Sequence, residues 1–148
     1  MTNARTVLVV EDNLIQRAGL AALLRQEGYD AVPAANGKEA LEHLTTKPTP
    51  DAMLLDMMMS ELDGWQLLKL LRQYPNLMAV PVIIVTGLGI ANLEWARSLG
   101  AAGLIRKPID AEQLKDALAR VFGTGTDLIR FTVQDPAKTE NYERPRSL

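Results

Sequence analysis

The sequence predicts an α/β fold with a doubly wound parallel sheet of five strands and helices on both faces. Short apolar runs such as residues 7–10 alternate with longer segments of helical apolar spacing. Five strand–helix units of about 20 to 25 residues follow one another, and this alternation favours parallel strands joined by crossover helices. Polar residues stand at the ends of several predicted strands, where a doubly wound sheet carries its functional groups.

The composition excludes several classes of protein. The 148 residues are 47% hydrophobic and 23% charged, with a net charge of −2, so no basic excess is available for direct binding to nucleic acid. The absence of cysteine and the single histidine, His43, exclude disulfides, thiolate metal sites and a histidine relay. No apolar run approaches the roughly 20 residues that span a bilayer, and the N-terminus has no signal-peptide core. We therefore expect a cytoplasmic protein without a membrane partner.

The first strand–helix unit has clear end signals. The apolar and mostly β-branched run at residues 7–10 favours a strand buried on both faces. Asn13 can cap a helix over residues 14–27, and Gly28 ends it. The apolar residues at helical spacing along it are Ile15, Ala18, Ala22 and Leu23.

The other units follow in the same alternation. Pro33, in a strand over residues 29–34, favours an edge position or a strand end. Asp110 with Gln113 resembles a capping box that opens the last helix. The further predicted strands are 53–55, 80–85 and 103–105, and the further helices are 38–46, 64–74, 91–99 and 110–122.

The composition changes after residue 122. We expect one domain over residues 1–122 and a C-terminal extension over 123–148. Within the extension, residues 128–134 alternate apolar and polar side chains, which predicts an extra strand. The polar residues that follow indicate a disordered tail.

Five polar residues mark the predicted strand ends. Glu11 and Asp12 follow the first strand, Asp56 ends the third, Thr86 ends the fourth and Lys107 follows the fifth. In a doubly wound sheet of order 2-1-3-4-5 these four strands are neighbours. Their ends would therefore converge on one pocket.

Such a pocket suits phosphoryl chemistry. Three carboxylates repel one another unless a cation joins them, and oxygen ligands favour Mg²⁺. Lys107 adds a positive charge and Thr86 a hydroxyl group. A carboxylate in this setting can accept a phosphoryl group and become an aspartyl phosphate. Each residue alone has an ordinary structural interpretation. The presence of all five at strand ends, in this order, is a much more specific indication of phosphoryl chemistry.

The chain strongly resembles the receiver domain of bacterial two-component response regulators. The resemblance covers roughly residues 6–122 and is carried by VLVVEDN, LLDMMMSELDGWQLL, VPVIIVTG and SLGAAGLIRKPI. It implies the flavodoxin-like fold with strand order 2-1-3-4-5.

The resemblance also implies roles for individual residues. Asp56 matches the phosphoacceptor, Thr86 the switch hydroxyl and Lys107 the lysine that pairs with the phosphoryl group. The implied Mg²⁺ ligands are Glu11, Asp12, Asp56 and the backbone carbonyl of Met57 or of a residue near it.

The implied function is a phosphorylation-dependent switch of a two-component phosphorelay, not an enzyme. The implied phosphodonor is a partner histidine kinase or phosphotransfer protein, which docks near helix 14–27 and the loop after Pro108. The output goes to an unknown downstream protein or to a homodimer, through the face formed by residues 91–99, 103–105 and 110–122.

The sequence is also compatible with other functions. The chain could be a receiver fragment of a larger hybrid kinase or of a regulator with an output domain. A small aspartyl-phosphate phosphohydrolase would need an acid/base aspartate just after the nucleophile, where Met58 stands. A flavodoxin-like carrier would need a phosphate loop in place of Glu11 and Asp12.

Two positions depart from the pattern of the family. Leu104 stands three residues before the lysine, where the family usually has an aromatic residue. Ser60 stands four residues after the acceptor, where the family often has proline. We therefore expect an altered switch readout and a less rigid loop.

Overall fold

A computed structural model describes residues 4–123, which form one five-stranded sheet of order β2-β1-β3-β4-β5. All four strand pairings are parallel, so the predicted fold class and strand order are confirmed. The strands are β1 (Thr6–Val10), β2 (Asp30–Ala34), β3 (Ala52–Asp56), β4 (Val82–Thr86) and β5 (Gly103–Arg106). The helices are α1 (Leu14–Gln26), α2 (Gly37–Thr46), α3 (Gly64–Leu71), α4 (Pro75–Met78), α5 (Leu93–Ser98) and α6 (Ala111–Phe122).

The helices begin and end at the residues that local chemistry favours. Asn13 caps α1 by accepting the N–H three residues on, and Gly28 follows α1 with a φ of 90°. Asp110 caps α6 in the same way. At Asp110 only this one bond of the predicted capping box is present, whereas Asp63 and Gln66 form the reciprocal pair of bonds where α3 begins.

The sheet is buried on both faces, as its apolar strands require. Helices α2, α3 and α5 cover one face, and α1 and α6 cover the other. Strand β2, which contains Pro33, lies at the edge of the sheet, one of the two placements that the proline favoured. The buried strand residues on the first face are Leu8, Val10, Ala34, Met53, Leu55, Val82 and Ile84, and those on the second are Val7, Val9, Leu54, Ile83, Val85 and Ile105.

Several predicted boundaries were displaced. Helix α3 ends at Leu71 rather than at residue 74, because Pro75 opens a separate short helix, α4, that the pattern did not indicate. Strand β4 begins at Val82, after Pro81, rather than at residue 80. Helix α5 begins at Leu93, where the side chain of Asn92 caps it.

Of the four apolar residues whose spacing predicted helix α1, only Leu23 packs partly against the core. Leu20, Ala21 and Leu24 pack against the sheet, whereas Ile15 is 81% exposed and Ala18 and Ala22 are also exposed. An apolar surface therefore faces outward near the start of α1.

The predicted strand at 128–134 and the tail after it lie outside the described residues. Among the helices of the described part, none is long and apolar enough to cross a membrane.

Two glycine-to-alanine substitutions are expected to change stability in opposite directions. A Cβ atom at Gly37 would collide with the backbone carbonyl oxygen of Leu62, because α2 begins directly against the loop between β3 and α3. Gly37→Ala should lower the free energy of unfolding by roughly 1–3 kcal/mol. At Gly19, on α1, no atom lies within 4 Å of an added Cβ. Gly19→Ala should raise that free energy by about 0.5–1 kcal/mol, since alanine favours helix. Urea unfolding of both variants checks this, and changes of the same sign would contradict it.

Candidate phosphoryl and metal site

The five predicted site residues lie at the carboxyl edge of the sheet. Glu11 and Asp12 follow β1, and Lys107 follows β5. Asp56 is the last residue of β3 and pairs in register with Val85, so Thr86 stands one residue further along the neighbouring strand. Parallel strands bring these ends together because their carboxyl ends share one edge.

Three carboxylates form a compact cluster there. One oxygen from each of Glu11, Asp12 and Asp56 can be chosen so that all lie within 4.8 Å of one another. Glu11 is 1% exposed and Asp56 4%, whereas Asp12 is exposed at the mouth of the site. Oxygen donors at this spacing, without nitrogen or sulfur, fit a hard divalent cation such as Mg²⁺.

Lys107 holds the two buried carboxylates together. Its Nζ donates to Glu11 Oε1 at 2.9 Å and to Asp56 Oδ2 at 3.4 Å. The other oxygen of Asp56, Oδ1, accepts the backbone N–H of Met58 at 3.1 Å. Both carboxylates are therefore oriented by the protein rather than by solvent.

The electrostatics of the site favour an added cation. Burial, and after it the charge of Glu11, raise the pKa of Asp56 to about 6, against the lowering effects of the Met58 N–H and of Lys107. Burial lowers the pKa of Lys107, but bonding to Glu11 and the nearby charge of Asp56 outweigh burial and leave that pKa raised. One ammonium group thus offsets only part of the negative charge of the cluster.

Thr86 connects the site to the loop before α5. Its side chain is fully buried, and its Oγ1 accepts the backbone N–H of Leu88 at 3.1 Å. The carbonyl of Leu88 accepts from Nη1 of Arg106, on β5, at 3.2 Å. A movement of the threonine hydroxyl would therefore change a contact of this loop.

The three consecutive methionines in the loop after Asp56 differ in their exposure to solvent. Met57 is fully buried, Met59 packs partly against the core, and Met58 is 58% exposed. The carbonyl of Met57 accepts the N–H of Gly64 at 3.2 Å. A carbonyl oxygen has two lone pairs, so this one keeps a free position.

The two departures from the family pattern have defined surroundings. Leu104 is half-buried and packs against the core beside β4. Ser60 is exposed, and its N–H donates to Oδ2 of Asp12 at 3.3 Å. Proline has no N–H and could not make this bond. The serine therefore connects the loop after Asp56 (the acceptor loop) to the acidic pair, Glu11 and Asp12.

Two residues of α1 at the site were not predicted. Gln16 Oε1 accepts from Lys107 Nζ at 2.7 Å. Nη1 of Arg17 donates to the carbonyl oxygens of Glu11 at 2.9 Å and Asp12 at 3.4 Å. Their place in the first turn of the helix after the acidic pair was the only signal in the sequence.

A pair of tryptophans joins the helices that follow the two loops of the site. Trp65 lies on α3, after the acceptor loop, and Trp95 lies on α5, after the Thr86 loop. Their ring centroids are 6.1 Å apart with an angle of 73° between the planes. Edge-to-face pairs of this kind are favourable contacts.

The chain belongs to the response regulator receiver domain family, whose model matches residues 7–119. Receiver domains are signalling switches, and the acidic cluster is consistent with the Mg²⁺ site typical of the class.

Individual members of the family are similar over most of the chain. Sporulation initiation phosphotransferase F of Bacillus subtilis is 34% identical over 115 residues, which are 77% of this chain and 90% of that protein. Polar-differentiation response regulator DivK of Brucella anthropi is 30% identical over 80% of this chain and 97% of its own. The structure of chemotaxis protein CheY4 of Vibrio cholerae superposes with a TM-score of 0.72 at 27% identity, covering 80% of this chain and 99% of that one.

The raised pKa predicts that Asp56 destabilises the metal-free protein above about pH 6. The folded pKa of about 6 exceeds the ordinary 3.8, so the folded state binds more protons between these values and stability falls as pH rises through them. In EDTA, Asp56→Asn should raise the free energy of unfolding by roughly 2 kcal/mol at about pH 7.5, and by much less near pH 4. Urea titrations at both pH values measure this.

Asp116→Asn, an exposed change on α6, is the matched control for that experiment. It should leave stability nearly unchanged at both pH values. A gain from Asp56→Asn that is equal at the two pH values would contradict the assigned cause.

Proposed function

We propose that this receiver domain, residues 1–122, is a phosphorylation-controlled switch with Asp56 as the phosphoacceptor. The observation that carries the proposal is the position of Asp56, buried at the end of β3 between Lys107 and the acidic pair. This arrangement offers a carboxylate nucleophile, a fixed positive charge and a cation site at one point. The switch would work in the cytoplasm and receive its phosphoryl group from a histidine kinase or phosphotransfer protein.

The proposed transfer is a single displacement at phosphorus. A carboxylate oxygen of Asp56 forms the new O–P bond while the N–P bond of the partner's phosphohistidine breaks. The electron pair of that bond stays on the imidazole, which then takes up a proton. Lys107, within 3.4 Å of Asp56 Oδ2, can donate to the phosphoryl oxygens as charge builds on them.

The donor set fits Mg²⁺. Glu11, Asp12 and Asp56 would hold the ion, together with the carbonyl of Met57 or of a neighbour such as Met58. When bound, Mg²⁺ neutralises charge on the transferring group. With the ion held by the carboxylates on one side of Asp56, the phosphohistidine of the partner would approach from the other side.

The proposed output passes through Thr86. Its Oγ1 accepts the Leu88 N–H, and its own hydroxyl hydrogen is available to a phosphoryl oxygen on Asp56. That new bond would favour one arrangement of the loop over residues 87–92 and of α5, which is a shift between existing states. A downstream protein or a second copy of the chain would read the face formed by α5, β5 and α6.

The proposed docking surface for the phosphodonor is the exposed start of α1. Leu14 and Ile15 are 69% and 81% exposed. The same helix lines a groove of about 620 Å³, whose apolar lining includes Leu23, Pro108 and Ile109 and which reaches Lys107. An amphipathic helix of the partner would bury this apolar surface and bring its histidine to the site.

Phosphoryl labelling tests the proposed acceptor. With Mg²⁺ and radiolabelled acetyl phosphate, the wild-type chain should take up one stable phosphoryl group, and Asp56→Asn should lose the label. Asp116→Asn is the control and should label normally. Labelling of Asp56→Asn at the wild-type level would overturn the assignment, and continuous turnover without a stable label would favour the phosphohydrolase alternative.

Substitution of Ile15 tests the docking surface. Ile15→Ser removes exposed apolar surface without opening the core, so we expect slower transfer from a phosphorylated histidine kinase but unchanged labelling by acetyl phosphate. The donor is the kinase that labels the wild-type chain fastest in a panel. Met78→Ser, an exposed change on α4, is the control. Equal losses with both donors would indicate a folding defect, and no loss with either would exclude Ile15 from docking.

A further inference from the structure

Gln16 belongs to a closed ring of four hydrogen bonds around the lysine. Glu11 Oε2 accepts the N–H of Asn13 at 3.1 Å, and Asn13 Oδ1 accepts the N–H of Gln16 at 2.9 Å. Gln16 Oε1 then accepts from Lys107 Nζ at 2.7 Å, and the same Nζ donates to Glu11 Oε1 at 2.9 Å. The cap of α1 thus fixes the backbone of the residue whose side chain holds the lysine.

The three acceptors around Lys107 differ in what a metal and a phosphoryl group would do to them. An ammonium group has three N–H donors, and here they meet Glu11, Asp56 and Gln16. The first two are carboxylates of the acidic cluster, and Mg²⁺ would compete with the lysine for their oxygens. The amide of Gln16 lies outside that cluster and is the acceptor that stays available.

We infer that Gln16 is a positioning residue that keeps the ammonium group of Lys107 at the acceptor when the carboxylates are engaged by metal and phosphoryl group. This inference rests on the proposed function. Without Gln16, the flexible lysine side chain, 25% exposed, can turn toward solvent. Its contribution to the transfer would then be reduced although the lysine itself is present.

The variant Gln16→Met tests the role because methionine has a similar length but accepts hydrogen bonds only weakly. At saturating Mg²⁺, the rate of labelling by acetyl phosphate should fall about threefold to fivefold, the effect of one lost hydrogen bond. The Mg²⁺ concentration for half-maximal labelling should not change, since Gln16 is not a ligand. Gln26→Met, at the exposed end of α1, is the matched control and should label as wild type does.

A double-variant cycle with Lys107→Met separates positioning from a general structural effect. If Gln16 acts through the lysine, adding Gln16→Met to Lys107→Met should slow labelling no further. A second readout is the rise in Tm produced by beryllofluoride with Mg²⁺, which Gln16→Met should reduce while the rise from Mg²⁺ alone stays unchanged.

The outcomes distinguish this inference from the proposed function. If the wild-type chain does not label, the proposed function fails. If it labels and Gln16→Met labels at the same rate, or if the effect of Gln16→Met persists in full without Lys107, the positioning role is wrong and the acceptor assignment stands.

Discussion

Two buried carboxylates share one ammonium group at the carboxyl edge of the sheet, and the rest of the site depends on that contact. Glu11 and Asp56 are almost fully buried, and a buried carboxylate without a partner is costly. Lys107 supplies the partner, yet the pKa of Asp56 is still raised to about 6. The site therefore retains excess negative charge, which destabilises the fold. A bound cation would neutralise that charge, and this is a physical basis for metal binding.

Local signals in the sequence predicted the fold well. Buried parallel strands appear as unbroken apolar runs, and caps such as Asn13 and stops such as Gly28 act within one turn, so they can be found in the chain alone. Pro33 favoured an edge position or a strand end, because proline has no N–H to donate to a neighbouring strand, and β2 lies at the edge. The convergence of Glu11, Asp56 and Lys107 followed from the strand order, which the resemblance supplied.

Three kinds of feature could not be predicted from local signals: which side of a helix faces the sheet, which side chains distant in the sequence come into contact, and which residues of a loop are buried. Spacing alone did not indicate which side of α1 meets the sheet, because apolar residues occupy both sides and tertiary packing chose Leu20 and Leu24. The contact of Gln16 with Lys107 joins residues 91 positions apart and requires the completed sheet. The burial of Met57 beside the exposed Met58 likewise depends on how the loop turns over the core.

The tryptophan pair gives the domain an intrinsic optical signal. The ring of Trp65, on α3, contacts the ring of Trp95, on α5. These helices follow the loops that begin after Asp56 and Thr86. Indole transitions at a centroid distance of 6.1 Å couple, and the coupling changes sign and strength with the angle between the rings. A displacement of α5 relative to α3 would therefore alter near-ultraviolet circular dichroism and emission. The two side chains make conformational exchange observable without an attached dye.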